Sequence, residues 1–175
     1  MIKLAARFQV IYVGIMIWLI GRLLEAASKV DKKIQEELVA LPAAFAFSMG
    51  ILPGGPAFIV QKQVDGTLYC ARRNDTFAPD LAISFKHVKL AFLILSFQES
   101  TARSFANDRM LLDGDLNLAM IIVRCLDRME CVVLPRFIAS RAVKRYPSIS
   151  LGQKLTLATR IYLQLLTGLF RRSHV

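Results

Sequence analysis

Histidine is almost missing from this chain: His87 and His174 are the only two, and neither sits in a motif with a nucleophile or with other metal-ligating residues. The three cysteines are too few for a disulfide scaffold, and their odd number fits a reducing compartment. Cys125 and Cys131 stand six apart, which matches no common zinc or redox spacing, and Cys70 is isolated. A glycine-rich phosphate loop is absent, since Gly54-Gly55 lies between Pro53 and Pro56. Nine glycines and six prolines exclude collagen-like and low-complexity architecture. Acidic residues are scarce, 13 against 23 Lys and Arg. Asp113 and Asp115 flank Gly114 and could be read as paired acids, but helix capping and solvation explain them more simply. These shortages point away from an enzyme, a metal site or a bound cofactor.

What the chain does have is apolar surface and positive charge. Hydrophobic residues make up 55% of its 175 positions, and charged residues only 21%. That balance excludes intrinsic disorder, because so much apolar surface must be buried. The formal charge of +10 is unevenly spread: residues 1–33 carry net +4, 34–56 net −2, 57–115 net 0 and 116–175 net +8. A neutral middle between basic ends suggests an anionic partner, either a membrane surface or a nucleic acid.

Between Arg7 and Arg22 lie 14 residues without a charge, among them Tyr12 and Trp18. As a helix they span about 21 Å, short of the roughly 30 Å hydrocarbon core, although flanking arginines can snorkel. Three readings stand: a membrane-inserted or interfacial anchor, a signal peptide with Arg22 and Glu25 intruding before Ala26-Ala27-Ser28, and a buried helix of the core or of a dimer interface.

Val30, Ile34, Leu38 and Leu41 repeat at helical spacing, and Leu52-Pro53-Gly54-Gly55-Pro56 must break any helix. Strand-like runs at 57–63 and 67–72 flank Asp65-Gly66, a hairpin signal. Residues 74–79 read as a loop. Leu81, Ile83 and Phe85 alternate with Ala82 and Ser84, the two-residue period of a strand with one buried face. Helices are expected over 86–95 and 99–107. A strand at 109–113 follows, with Met110 and Leu112 on one face, and then the Gly114-Asp115 corner, Asp115 being the N-cap of a helix from 115 to 133. On that helix Leu118, Ala119, Ile122, Leu126, Met129 and Val133 share one face, and Asn117, Arg124 and Arg128 the opposite one. A basic segment at 136–146 follows. From 151 to 170, Leu151, Leu155, Ala158, Tyr162, Leu165, Leu166 and Leu169 line one side of a basic amphipathic helix, with Leu157 as the exception.

The order hairpin, strand 80–85, apolar helix, short helix with Phe105, strand 109–113, Gly114-Asp115 and long apolar helix resembles the sterol carrier protein type two family of lipid-binding domains. Phe105, Arg109 and Gly114-Asp115 match its signature, while Asp108 replaces the family's usual glycine before the basic residue. The resemblance covers roughly residues 55–135. It implies an α+β fold in which helices cover one side of a mixed β-sheet, with an apolar tunnel between the layers and flanking N- and C-terminal helices. It implies lipid binding or carriage without catalytic residues or cofactor, and bacterial members include accessory proteins of ubiquinone biosynthesis.

The organisation expected is therefore apolar and amphipathic helices over 1–54, a lipid-binding domain over 55–135 and basic amphipathic helices over 136–175. A small sheet must cover its apolar face, and the apolar supply exceeds what a domain of about 100 residues consumes, leaving enough for a lined pocket. Candidate lining residues are Leu81, Ile83, Phe85, Phe92, Phe105, Met110, Leu112, Ile122, Leu126 and Met129, each of which could equally serve as plain core. Expected partners are a lipid ligand, a membrane surface reached through the basic amphipathic helices, and lipid-modifying enzymes for which the chain could act as a scaffold. The expected location is cytoplasmic and membrane-associated. Nucleic-acid binding is the competing reading of the charge, but it lacks basic residues interleaved with exposed aromatics.

Overall fold

Five short segments build one mixed sheet. The computed structural model describes residues 2–71, 75, 78–99, 101–135 and 150–173. In chain order the elements are α1 (Ile2–Val30), α2 (Lys32–Val39), β1 (Ala46–Ile51), β2 (Ala57–Lys62), β3 (Leu68–Cys70), β4 (Leu81–Phe85), α3 (Val88–Leu95), α4 (Thr101–Ala106), β5 (Met110–Asp113), α5 (Leu116–Val133) and α6 (Leu151–Ser173). The sheet order is β3-β2-β1-β4-β5. The central β1–β4 pair is parallel and the outer pairs are antiparallel, so the fold is α+β with a mixed sheet.

Register places Phe47, Met49 and Ile51 of β1 beside Leu81, Ile83 and Phe85 of β4, on the face that carries Phe58, Val60, Leu68 and Met110. These side chains are buried in one continuous core that also takes in α1, α3, α5 and Ile161 of α6. The other face presents small, polar and partly exposed residues such as Ser48, Gln61, Tyr69 and Ser84. Asp80 ties the parallel pair: its carboxylate accepts from the Ala46 amide at 2.8 Å, and its own amide donates to the Ala46 carbonyl at 2.8 Å.

Local chemistry accounts for the corners. Asp115 caps α5 by accepting from the Asn117 amide at 2.6 Å. Gly114 just before it has φ +123°, and a Cβ there would lie 2.6 Å from the Asp80 carbonyl, so only glycine fits. Asp108, which stands where the resembled family has glycine, adopts φ +55°, a left-handed turn that aspartate tolerates, and pairs with Lys86 at 2.5 Å.

Three expectations change. The stretch 1–54 is not helical throughout, because it contributes β1, the central strand; the signal for it was the alternation of Phe47, Met49 and Ile51 with Ser48 and Gly50. The buried side of α5 is rotated from the expected one toward Ile121, Cys125 and Val132, and Arg128 is drawn inward to Asp31 at 2.8 Å. On α6 the buried line is Leu157, Ala158, Ile161 and Leu165, so Leu157 belongs to the packed side, while Leu151, Leu155, Tyr162 and Leu166 of the expected apolar face are exposed. The basic segment at 136–146 lies outside the described residues.

Candidate functional site

The N-terminal apolar segment becomes the long helix α1, which packs on β2, β3, α3, α5 and α6. By length and composition it could cross a membrane over Arg7–Val30. In the fold, Val13, Ile17, Ile20, Leu23 and Leu24 enter the core instead. Gly21 permits the close approach: a Cβ there would be 2.8 Å from the Phe58 ring. Tyr12 fixes α1 against α3, its hydroxyl donating to the Leu95 carbonyl at 3.1 Å and its ring meeting Phe92 edge-on at 5.3 Å.

Where α1, α3, α5 and α6 converge, their side chains leave a cavity of about 140 Å³. Its apolar wall comes from Met16, Leu19, Ile20 and Leu23 of α1, Ile94 and Leu95 of α3, Met129 and Val133 of α5, and Phe97 and Leu134 beyond the helix ends. An engineered cavity of roughly 150 Å³ lined by aliphatic groups stays dry and accepts a benzene-sized guest. The space therefore admits a small ring or the end of a hydrocarbon tail.

Four polar side chains reach the same wall: Glu99, Thr101, Glu130 and Tyr162. Glu99 is neutralised by a close ion pair with Arg109 and accepts from the Asn107 side chain at 3.3 Å. The Tyr162 hydroxyl donates to the Val133 carbonyl at 3.4 Å, which lays α6 across the end of α5. Glu130 lies among apolar groups, and burial together with nearby Asp127 pushes its carboxyl up to about 7. Burial also raises Asp127 to about 6.

Of the ten residues proposed from sequence as lining, Met129 reaches this cavity. Leu81, Ile83, Phe85, Met110 and Ile122 are buried in the sheet–helix core, and Phe92, Leu112 and Leu126 pack partly exposed against it. Phe105 is 53% exposed on α4. The helix that supplies the largest single share of the wall is α1, whose apolar run allows an anchor, a signal peptide or a core helix and does not by itself mark a site. The spacing of Met16, Leu19, Ile20 and Leu23 was the available signal, since it marks one helical face.

The reactive residue types sit in inert places. The thiols of Cys70, Cys125 and Cys131 are buried and raised by desolvation to about 11, 12 and 11, far from the thiolate form at neutral pH. His87 precedes α3 as an exposed N-cap whose ring makes no capping hydrogen bond. Among the described residues no three His, Cys, Asp or Glu side chains gather as a metal site.

No family model matches the chain, and no curated protein does. Among solved structures it is similar to the sterol carrier protein domain 2 of Helicoverpa armigera, with 14% identity over 65% of this chain and 87% of that one at a TM-score of 0.45. It is similar to a ubiquinone synthesis protein described as UbiJ-SCP2, with 10% identity over 70% and 98% at 0.44. It is also similar to apo sterol carrier protein 2 of Yarrowia lipolytica, with 10% identity over 63% and 88% at 0.43. These are sterol carrier domains, the family that residues 55–135 resemble. At such identities and scores, function must be argued from the cavity's own residues.

Proposed function

We propose that this protein is a non-enzymatic lipid-binding protein that takes part of an apolar lipid, such as an isoprenoid, sterol-like or acyl chain, into the cavity between α1, α3, α5 and α6 and works at a membrane surface. The observation that carries this reading is the cavity itself: a hollow of about 140 Å³ with ten apolar wall residues. Each methylene buried there contributes about 0.8 kcal/mol. Longer ligands need more room, and α6 is the element placed to give it, because it crosses the cavity through Tyr162 and enters the core mainly by Ile161.

The surroundings support a membrane as the source of the lipid. Phe8, Ile11, Ile15 and Trp18 form a stripe along α1 and are between 46% and 62% exposed. Leu151, Leu155, Tyr162 and Leu166 form a second exposed stripe on α6. Residues 1–24 and 151–173 contain basic residues and not one acid. Exposed apolar stripes beside a local excess of positive charge suit an anionic bilayer surface better than nucleic acid.

The direct test is native mass spectrometry of the full chain purified from bacteria, with identification of extracted lipid. A bound, extractable lipid is expected. Lipid-free protein that takes up neither fluorescent acyl nor prenyl probes would overturn the reading.

A further inference from the structure

We infer that the cavity discriminates by the charge of a lipid's end group: it accepts an uncharged hydroxyl or carbonyl end and disfavours a carboxylate or phosphate, with Glu130 as the deciding residue. This rests on the lipid-binding reading above. The Glu130 side chain lines the cavity from α5, and its carboxyl has no hydrogen bond or ion pair with the described residues, only its backbone carbonyl accepting from the Leu134 amide. A tail packed over it would leave that carboxyl without a partner, which is costly in a dry site. A ligand's polar end placed there satisfies it.

The charges around Glu130 set the sign of the preference. Among the described residues no lysine, arginine or histidine lines the cavity, so none of them offsets a ligand anion there. The charged neighbours are engaged elsewhere. On α5, Arg128 pairs with Asp31, and Asp127 adds negative charge. On α6, the Lys154 ammonium donates to the Leu134 carbonyl at 2.6 Å. Before α4, Glu99 is held by Arg109. Among the elements facing the cavity, α1 and α3 contribute only apolar groups. An anionic head would meet an acid in low dielectric, where like charges repel most.

Protonated, Glu130 donates to a carbonyl or hydroxyl oxygen. Ionised, it still accepts from a hydroxyl, whereas a carboxylate can bind beside it only after a proton is taken up. With its carboxyl near 7, roughly one Glu130 in ten is protonated at pH 8. A carboxylate ligand that needs the protonated form therefore loses about tenfold in affinity from that requirement alone.

Hexadecanol and palmitate isolate the variable, having equal chains and different ends. Each is titrated against the full chain by displacement of an uncharged fluorescent lipid probe at pH 6 and pH 8. Hexadecanol is expected to bind at least about tenfold more tightly than palmitate at pH 8, with a smaller gap at pH 6. In Glu130→Gln the pH 8 gap should narrow to about threefold, with an unchanged circular-dichroism spectrum. Equal affinity of the two ligands for the unmodified protein at pH 8 would overturn the inference, as would a gap that Glu130→Gln leaves intact. Should that variant fail to fold, the comparison on the unmodified protein still decides. Binding of neither ligand, nor of the probe, would instead refute the lipid-binding reading itself.

Discussion

Asp31→Ala tests how the helical layer is joined. Asp31 serves two elements at once: its carboxylate caps α2 by accepting from the Lys33 amide at 3.0 Å, and it pairs with Arg128 Nε of α5 at 2.8 Å. The Asp31 side chain is 3% exposed and that of Arg128 13%, so neither charge has water to fall back on. Loss of the cap costs about 1 kcal/mol. Leaving the Arg128 guanidinium buried without its anion costs about 3 kcal/mol, more so because its Nη1 already lacks a partner. The expected loss is about 3–4 kcal/mol, a large share of the 5–15 kcal/mol typical of a domain. With a urea slope of about 2 kcal/mol/M, the midpoint should fall by roughly 1.5–2 M. The double variant Asp31→Ala/Arg128→Met should recover 1 kcal/mol or more relative to Asp31→Ala, on the order of what removing the stranded charge returns. Urea unfolding followed by circular dichroism measures both. A loss below about 1 kcal/mol, or a double variant equal to the sum of the singles, would refute the reasoning.

Gly114→Ala should destabilise by about 2 kcal/mol or more, because a Cβ at φ +123° meets the Asp80 carbonyl; a melting temperature within 2 °C of the parent, on the order of the error of such a scan, would count against this. Glu130 and Asp127 have folded-state carboxyls raised to about 7 and about 6, above their ordinary values. The folded chain therefore holds protons that the unfolded chain has released, so stability is greatest below about pH 4 as far as these two groups are concerned and falls as pH rises through 6 and 7. The decline should be about 1–3 kcal/mol between pH 4.5 and 8 and should shrink in Glu130→Gln, as urea midpoints across pH will show. Replacing Phe8, Ile11 and Ile15 together by serine should change stability by less than about 1.5 kcal/mol, since all three are exposed. The same change should abolish most sedimentation with vesicles containing anionic lipid, and undiminished sedimentation would dismiss the α1 stripe.

Short-range chemistry made much of the middle of this fold legible. The Asp65-Gly66 turn, the alternation at 81–85, the Gly114-Asp115 corner and the spacing of Ile34 and Leu38 are all local signals, and each element stands where it was expected. What escaped depended on distant partners. β1 alternates in its own sequence, but its parallel pairing to β4 depends on Asp80, 34 residues from Ala46, which no local signal announces. Arg128 reads as a solvent-facing helix residue until Asp31, 97 residues earlier, is brought beside it. The candidate site was the least legible part. Its wall is drawn from five helices and two connections, and no periodicity in one segment announces that another will stop short of filling the space between them.

The dual nature of α1 bears on the membrane contact proposed above. A helix this apolar could cross a bilayer by composition, and moving its own buried side chains from core to lipid would cost little, one apolar medium replacing another. The cost falls on what stays behind. Phe58, Val60 and Leu68 on the strands beneath α1 would face water, at about 1.5–3 kcal/mol each. The edge strand β3 would also lose partners, since the Leu68 amide donates to Ser28 Oγ at 2.9 Å and the Cys70 amide to the Glu25 carboxylate at 3.3 Å. Those losses together rival the stability of an entire domain. Lying in the interface spares all of them, because Phe8, Ile11, Ile15 and Trp18 already point away from the core. For that proposed contact the physics favours a folded protein resting on the bilayer by one side of α1 over an α1 that crosses it, the other side closing the sheet and walling the cavity.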